Sequence, residues 1–422
     1  MSFADFYLER YSTKPQYIKS KPNDDLKIIV IIPCFNEADL LRSLDSLFCC
    51  IRITSSVEVI VHVNSGEHSG VDIKRQNIKS FNDAQQWISE HEDELLKYHL
   101  IFTDDLPLKD AGVGLARKIA MDEAVRRFNE RDKPNGIIVS FDADALVAEN
   151  YLIEIEKAFD EKKVIAGAIY FQHPIAGDDF DEFTYSKIIQ YELYLRYYYQ
   201  ALKYIGYPNV IHTVGSSFAV NAETYCKLGG MNRKKAGEDF YFLQKVVGVG
   251  RVVEINTTCV IPSPRPSDRV PFGTGAAIMK WTDESESNYF TYNLQSFLEL
   301  KKLINCVDKL YRIEEIEIQK ILNTFHVGLR DFLILNQFLE NIKEINTNSA
   351  DLVSFTKRFF NWFNMFKVLK FMNYLAQEHL KHEAVANSAI ELLKLKGCDT
   401  KGLNSNKGVL DFYRKLEING VN

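Results

Sequence analysis

From Lys27 to about Val260 the chain alternates short β-branched runs with amphipathic segments of helix length, and this restricts it to an α/β sheet of mostly parallel strands. Strands are expected at Lys27–Ile32, Val57–Val63, His99–Thr103, Gly136–Phe141, Val164–Phe171, Val210–Val220 and Arg251–Val260. Helices are expected at Asp39–Ile51, Ala84–Lys97, Gly114–Phe128, Tyr151–Asp160, Glu182–Tyr204 and Glu238–Val247. After Ile261 the pattern stops, because residues 262–275 carry too much proline and glycine for a regular element. Beyond Ser285 apolar residues recur at helical spacing, in Phe297–Leu310, Glu314–Asn341, Leu352–Leu375 and Ala384–Leu395. A chain of 422 residues can hold more than one core. The expected division is an N-terminal extension (1–26), an α/β domain (27–280) and an all-helical C-terminal domain (281–422).

Charge narrows the function. With 51 basic against 57 acidic side chains, a formal net charge of −6, the chain is no general nucleic-acid binder, whose surface must meet phosphates. Its seven cysteines form no Cys-x-x-Cys pair or metal-ligand ladder, its first residues make no signal peptide, and no apolar run reaches membrane-span length. These features predict a cytoplasmic protein with reduced thiols and no transmembrane segment, and leave association with a membrane surface open.

Four motifs carry candidate chemistry. The apolar run Ile137–Phe141 ends in Asp142-Ala143-Asp144. Strand alternation would point both carboxylates the same way at a carboxyl end, where open α/β sheets bind ligands. Hard oxygen donors there suit Mg2+ or Mn2+ holding a diphosphate; the plain alternative is an acidic turn in solvent. After the first strand, Pro33-Cys34-Phe35-Asn36-Glu37 leads into a helix whose N-terminus favours negative charge in a ligand. Pro33 is expected to end the strand, and Asn36 to cap the helix if the turn is an ordinary one. After the third strand, Gly112 and Gly114 would let backbone approach a ligand, and Lys109 and Arg117 could meet phosphate or base. Arg117 stands where a dinucleotide fingerprint needs its third glycine, which disfavours a Rossmann oxidoreductase. Further on, Gly215-Ser216-Ser217 and Gly229-Gly230-Met231 precede Glu238-Asp239 at a helix start. Asp239 could accept a proton from an attacking hydroxyl, or the acidic pair could merely complement the helix dipole. On the proline-rich segment, Arg265 and Arg269 offer forks that suit phosphate and could close over a substrate; solvated surface arginines are the alternative.

Taken in order, Pro33-x-Phe35-Asn36-Glu37, Gly114-Leu115-Ala116-Arg117, Asp142-Ala143-Asp144, Gly229-Gly230-Met231 and Glu238-Asp239 resemble the family 2 glycosyltransferases of GT-A fold, over about residues 27–275. The resemblance implies a GT-A-like mixed, mostly parallel sheet flanked by helices. It also implies transfer of a single sugar from a UDP- or GDP-linked donor to a glycan or other hydroxyl acceptor, with a Mn2+ or Mg2+ ion and inversion preferred to retention. By the same resemblance Pro33, Phe35, Asn36 and Glu37 line the nucleotide pocket, and Asp142 and Asp144 serve the ribose and the metal. Asp239 is then the base, with Glu238 the fallback. Gly215, Lys109, Arg117, Arg265 and Arg269 join the substrate-binding set. Where the family often has Asp-Asp-Gly-Ser, this chain has Asn64-Ser65-Gly66-Glu67, so Asn64 becomes the candidate reader of the base. The Gln-x-x-Arg-Trp signature of processive members is absent. Two other readings compete: a haloacid-dehalogenase-type phosphatase, which also ends a strand in Asp-x-Asp, and a non-catalytic nucleotide- or glycan-binding module. Tyr191–Tyr204 and Phe359–Phe366 are aromatic-rich, and packing is the expected use of both.

Overall fold

The computed structural model describes residues 2–91, 93–269, 273–281 and 288–420. Val270, Pro271 and Phe272 of the proline-rich segment, and Ser285, lie outside the described residues. The chain forms two compact units, Met1–Ile188 with Ile211–Thr282 and Ile189–Val210 with Asp283–Asn422.

The first unit opens with α1 (Asp5–Arg10), β1 (Ile28–Cys34), α2 (Leu40–Phe48), β2 (Val57–Gly66), α3 (Val71–Glu90), β3 (Leu96–Leu106) and α4 (Val113–Glu130). Next come β4 (Ile137–Ser140), β5 (Leu146–Val147), α5 (Tyr151–Asp160), β6 (Val164–Phe171) and α6 (Glu182–Tyr204), whose residues from 189 group with the second unit. It closes with β7 (Phe218–Asn221), α7 (Ala222–Lys227), α8 (Glu238–Val246), β8 (Arg251–Ile261) and α9 (Thr274–Lys280). The sheet order is β3-β2-β1-β4-β7-β6-β8-β5. β1, β2, β3 and β4 run parallel, as do β6 and β8, while β7 is antiparallel to both its neighbours. The result is the expected mixed, mostly parallel sheet between helices. β1 is buried on both faces, which is why it reads as an unbroken apolar run. Its Ile29 and Ile31 share a core with Ala120, Ala124 and Phe128 of α4, and with Phe218, Phe242 and Leu243.

Residues before β1 are built into this unit. Tyr7 Oη donates to Asp122 at 2.6 Å, the Thr13 amide donates to the same carboxylate at 2.6 Å, and the Ile18 amide donates to Glu123 at 2.9 Å.

Several local expectations need correction. The helix expected at Ala84–Lys97 is α3, starting at Val71, and β3 already begins at Leu96. The buried face of α3 is Asn77, Ser80, Ala84 and Trp87, a 3-4-3 spacing hidden because half of it is polar. Of the strand expected at Val210–Val220, only Phe218–Asn221 forms. Pro33 does not end β1: the strand pairs with β2 through Pro33 and Cys34, and only the ladder to β4 stops at Ile31. Asn36 does not cap α2, whose N-cap is Asp39; it adopts φ 49° and its amide donates to Asn77 Oδ1 at 2.8 Å.

The second unit is helical: α10 (Leu294–Cys306), α11 (Glu315–Asn323), α12 (Val327–Leu335), α13 (Phe338–Thr347), α14 (Leu352–Trp362), α15 (Met365–Glu378), α16 (Val385–Leu395) and α17 (Asn406–Asn419). A short antiparallel pair, β9 (Phe290–Thr291) with β10 (Glu383–Ala384), accompanies them. The segment Glu314–Asn341 breaks where the His326 side chain caps α12 and where Gln337 takes φ 56°. Leu352–Leu375 breaks at Asn364, whose side chain accepts the Phe366 and Lys367 amides. The aromatic stripes pack internally, as with Tyr197 on Phe297 and Phe359 on Phe363.

Candidate functional site

The sheet assembles one cluster of charge beyond its carboxyl ends. β1 and β4 run parallel, their ladder stops at Ile31 and Ser140, and the Phe141 amide donates to Ile31 O at 3.0 Å, so Phe141–Asp144 leave the sheet beside the end of β1 that leads into Phe35–Glu37. β7 is antiparallel to β4, which brings its preceding residues to the same edge; Ser140 Oγ donates to Gly215 O at 2.7 Å. β5 pairs with the end of β8, carrying the segment with Arg265 and Arg269 over Asp144.

Asp142 and Asp144 do not lie on the strand as expected. β4 ends at Ser140, and Asp142–Asp144 form a turn in which the Ala145 amide donates to Asp142 O at 3.2 Å. Strand alternation therefore does not orient the two carboxylates, and they face different partners. The turn is held by Ser43 of α2, whose hydroxyl lies 2.8 Å from Ala143 O and 2.7 Å from Ala145 O.

Asp142 Oδ1 accepts from Arg117 Nη2 at 2.7 Å, and Arg117 Nη1 donates to Glu238 at the start of α8. Arg117 is therefore neither a solvated helix residue nor an open phosphate ligand: it is 2 % exposed and clamped between two carboxylates. Burial works against its charge, but Glu238, Asp142 and Asp239 outweigh this and raise its pKa. Asp239 reaches the same place. A Cβ on Gly215 would lie 2.9 Å from Asp239 Oδ2 and 3.0 Å from both Arg117 Nη atoms, so glycine keeps this point clear. Burial pushes Glu238 up to about 7 against the opposing pull of Arg117, and neighbouring Asp239 adds to the rise. Burial likewise raises Asp239, and Arg117 opposes it.

On the other side Glu37 is fully buried and binds both arginines of the proline-rich segment. Arg269 Nη1 donates to Glu37 at 2.7 Å and to Phe35 O at 3.3 Å, while its Nη2 donates to Asp144 at 2.8 Å. Arg265 donates to Glu37 and lies 3.6 Å from Asp144. These are not the solvated arginines of the alternative reading. Burial tends to raise Glu37, but Arg265, the Asp39 amide and Arg269 reverse this and hold its carboxyl low. Asp144 goes the other way: burial raises it, Arg269 opposes, and the charges of Asp142 and Glu37 push it further up.

The other candidates fall around this core. Asn64 is buried and its amide donates to Cys34 O at 2.9 Å and His62 O at 3.1 Å, so its donor group ties β1 to β2. Lys109 is exposed on the turn after β3. Gly112 and Gly114 accommodate protein backbone where a ligand was expected: a Cβ on Gly112 would lie 2.8 Å from Lys235 Cα, and one on Gly114 2.1 Å from Lys234 O. The sequence reading missed the residues that fix the 34–37 turn, Asn77 and Ser80 of α3. Asn77 accepts the Asn36 amide and donates to Asn64 O at 2.7 Å, and Ser80 Oγ donates to Glu37 O. Their signal was the polar face of α3, visible only with the helix start placed at Val71.

No group of three or more His, Cys, Asp or Glu side chains that could hold a metal ion occurs among the described residues. No family model matches the chain, and no curated protein matches it. Solved structures similar to it include S. aureus TarS 1–349 in complex with UDP, at 10 % identity over 80 % of this chain and 91 % of that one, with a TM-score of 0.37. The same protein in complex with UDP-GlcNAc is 13 % identical over 93 % of this chain and 90 % of that one, with a TM-score of 0.38. GalNAc-T7 with UDP, GalNAc and Mn2+ is 14 % identical over 66 % of this chain and 53 % of that one, with a TM-score of 0.36. Likenesses this distant leave the functional reading to rest on the charged cluster itself.

Proposed function

We propose that the first unit is a GT-A-type glycosyltransferase that moves one sugar from a nucleoside-diphosphate sugar to an acceptor hydroxyl, with inversion at the anomeric carbon. The observation that carries this reading is a charge imbalance at the carboxyl ends of the sheet. Among the described residues the cations that meet Glu37, Asp142, Asp144, Glu238 and Asp239 are the guanidinium groups of Arg117, Arg265 and Arg269, and burial raises Asp144, Glu238 and Asp239 while neighbouring carboxylates add to the rise. An excess of partly buried carboxylate favours a cation, and oxygen donors select Mg2+ or Mn2+. Two protein carboxylates suffice, because such ions usually complete their shell with substrate phosphate and water rather than with an all-protein cage. Asp144, with Asp142, would hold the ion, which when bound neutralises the departing diphosphate.

The chain's own groups supply the rest. Arg265 and Arg269 now rest on Glu37 and Asp144, from which their forks can transfer to the donor's diphosphate oxygens. Pro33, Phe35, Asn36 and Glu37 wall the nucleotide side, and Asn64 can offer only its carbonyl oxygen to a base edge, since its amide is engaged. Lys109 is exposed to meet the nucleotide from the β3–α4 turn. Asp239, beside the space that Gly215 keeps clear, takes the proton of the acceptor hydroxyl as its oxygen bonds to the anomeric carbon. The bond from that carbon to the diphosphate breaks, with its electron pair leaving on the diphosphate. A raised pKa suits a base that works near neutrality. Glu238 holds Arg117 in place between Asp142 and Asp239.

Nucleoside diphosphate release from UDP- and GDP-sugars, measured with and without Mn2+, tests the reading. Cation-dependent release supports it. Binding without release would mean a non-catalytic module, and phosphate release from sugar phosphates would favour a phosphatase.

A further inference from the structure

We infer that the second unit carries a docking surface for an anionic lipid membrane, formed where α12, α14 and α15 meet. In an acidic chain, Leu352–Gln377 holds Lys357, Arg358, Lys367 and Lys370 and not one Asp or Glu. None of the four cations is ion-paired with a described residue, and Lys357, Arg358 and Lys370 are exposed. On α14 the buried face is Phe355 and Phe359, which leaves Val353, Lys357 and Arg358 on the outer arc with Val353 78 % exposed. On α15 the buried face is Val368, Phe371, Met372 and Leu375, so Leu369 and Lys370 face outward. Lys367 lies over the Trp362 ring, 4.5 Å from its centroid, which joins the two helices' charge at one place.

The apolar part comes from α12. It packs antiparallel on α15: a Cβ on Gly328 would lie 2.4 Å from Leu375, and Phe332 meets Phe371 at 5.3 Å. Its last residues therefore end near the start of α15, and Phe338 just beyond them touches Trp362 at 5.9 Å. Those last residues are Ile334 and Leu335, 58 % and 70 % exposed. Of the nearby acids, Asp351 accepts the Ser354 amide at the start of α14 and Asp308 accepts from Thr356 Oγ1 at 3.3 Å, and neither pairs with the four cations. Asp331 is bridged to Arg330 at 3.4 Å, and Glu340 lies about 200° round α13 from Phe338. Exposed aliphatic side chains, a half-buried tryptophan and unpaired lysine and arginine on these helices match an interface whose headgroups are anionic and whose interior is apolar. Nucleic acid would meet the charge but leave Ile334 and Leu335 in water. No described helix is long and apolar enough to cross a membrane, so the contact is peripheral.

Sedimentation of the full chain with phosphatidylcholine vesicles, with and without phosphatidylglycerol, tests this independently of any donor chemistry. The chain should sediment with the mixed vesicles, less so as salt rises, and not with phosphatidylcholine alone. The exposed triple change Lys357→Gln, Arg358→Gln, Lys370→Gln should weaken association by on the order of a hundredfold. Lys401→Gln, Lys407→Gln, Lys415→Gln, the same charge change on and before α17, should leave it nearly intact. Ile334→Ser with Leu335→Ser, exposed and therefore harmless to folding, should weaken it as well. Absence of binding to mixed vesicles, equal weakening by both triple changes, or an effect of the first triple on RNA retention alone would overturn the proposal.

Discussion

The two ends of the same sheet use buried charge in opposite ways. At the amino end Glu58, the second residue of β2, meets Arg127, each 2 % exposed, and Arg127 Nη1 also donates to Ser20 O at 2.9 Å. Burial would raise Glu58, but His99 and Arg127 outweigh it and hold the carboxyl below its usual range. There the carboxylate has its own buried guanidinium to balance it. At the carboxyl end Asp144, Glu238 and Asp239 stay raised although three arginines are present. A balanced buried pair is what structure alone requires, whereas an unbalanced cluster waits for something to balance it.

The largest expected effect separates these ends by function. Asp239→Asn should cut sugar transfer by about a hundred- to ten-thousand-fold and leave donor affinity nearly unchanged, as steady-state rates and calorimetry would show together. Full activity in that variant moves the base to Glu238 or ends the inverting mechanism. Arg127→Ala should do the reverse: denaturant unfolding should record a loss of about 3–5 kcal/mol from the uncompensated buried Glu58, with donor affinity per folded molecule unchanged. If the two substitutions behaved alike, the contrast between the ends would be void.

The ends should also titrate in opposite senses. Glu238 holds its proton in the fold up to about 7, against an ordinary value of 4.5. Its contribution to stability is complete below about 4.5 and is lost as pH rises through about 7, an effect on the order of 3 kcal/mol. Glu58, held low, contributes above its ordinary range and loses that contribution as pH falls through its depressed folded value. Melting temperatures across pH 4 to 8 should therefore fall less steeply for Glu238→Gln than for the natural chain. Identical slopes would mean that Glu238 carries no such strain.

The smallest expected effect concerns the arginine segment. Arg265 and Arg269 are already docked on Glu37 and Asp144, so donor with Mn2+ should slow hydrogen exchange only modestly over residues 262–269. Equal exchange with saturating donor would leave the two arginines as permanent partners of the carboxylates.

Much of this was legible in the sequence. Long apolar strands and helices with an apolar face came through, α5 and β6 to the residue, because burial wrote a period into them. Glu37, Asp142, Asp144, Glu238 and Asp239 could each be singled out by type and place. Their partnerships could not. That Arg117 would lie between Asp142 and Glu238 depends on α8 approaching α4 across Gly112 and Gly114, and those glycines look the same in sequence whether they admit a ligand or a neighbouring chain segment. The polar buried face of α3 erased its helical period, and with it went Asn77 and Ser80, which hold the turn before α2.

The central claim is that the negative excess at the carboxyl end of the sheet is a site for a cation and a nucleoside diphosphate together. Calorimetric titration of UDP and GDP into the natural chain and into Asp144→Asn, each with and without Mn2+, tests it most directly. The account predicts that one nucleotide binds the natural chain tightly only with the cation and that Asp144→Asn, still folded, loses the cation-dependent part. Equal affinity in both proteins, or no cation dependence in either, would contradict it.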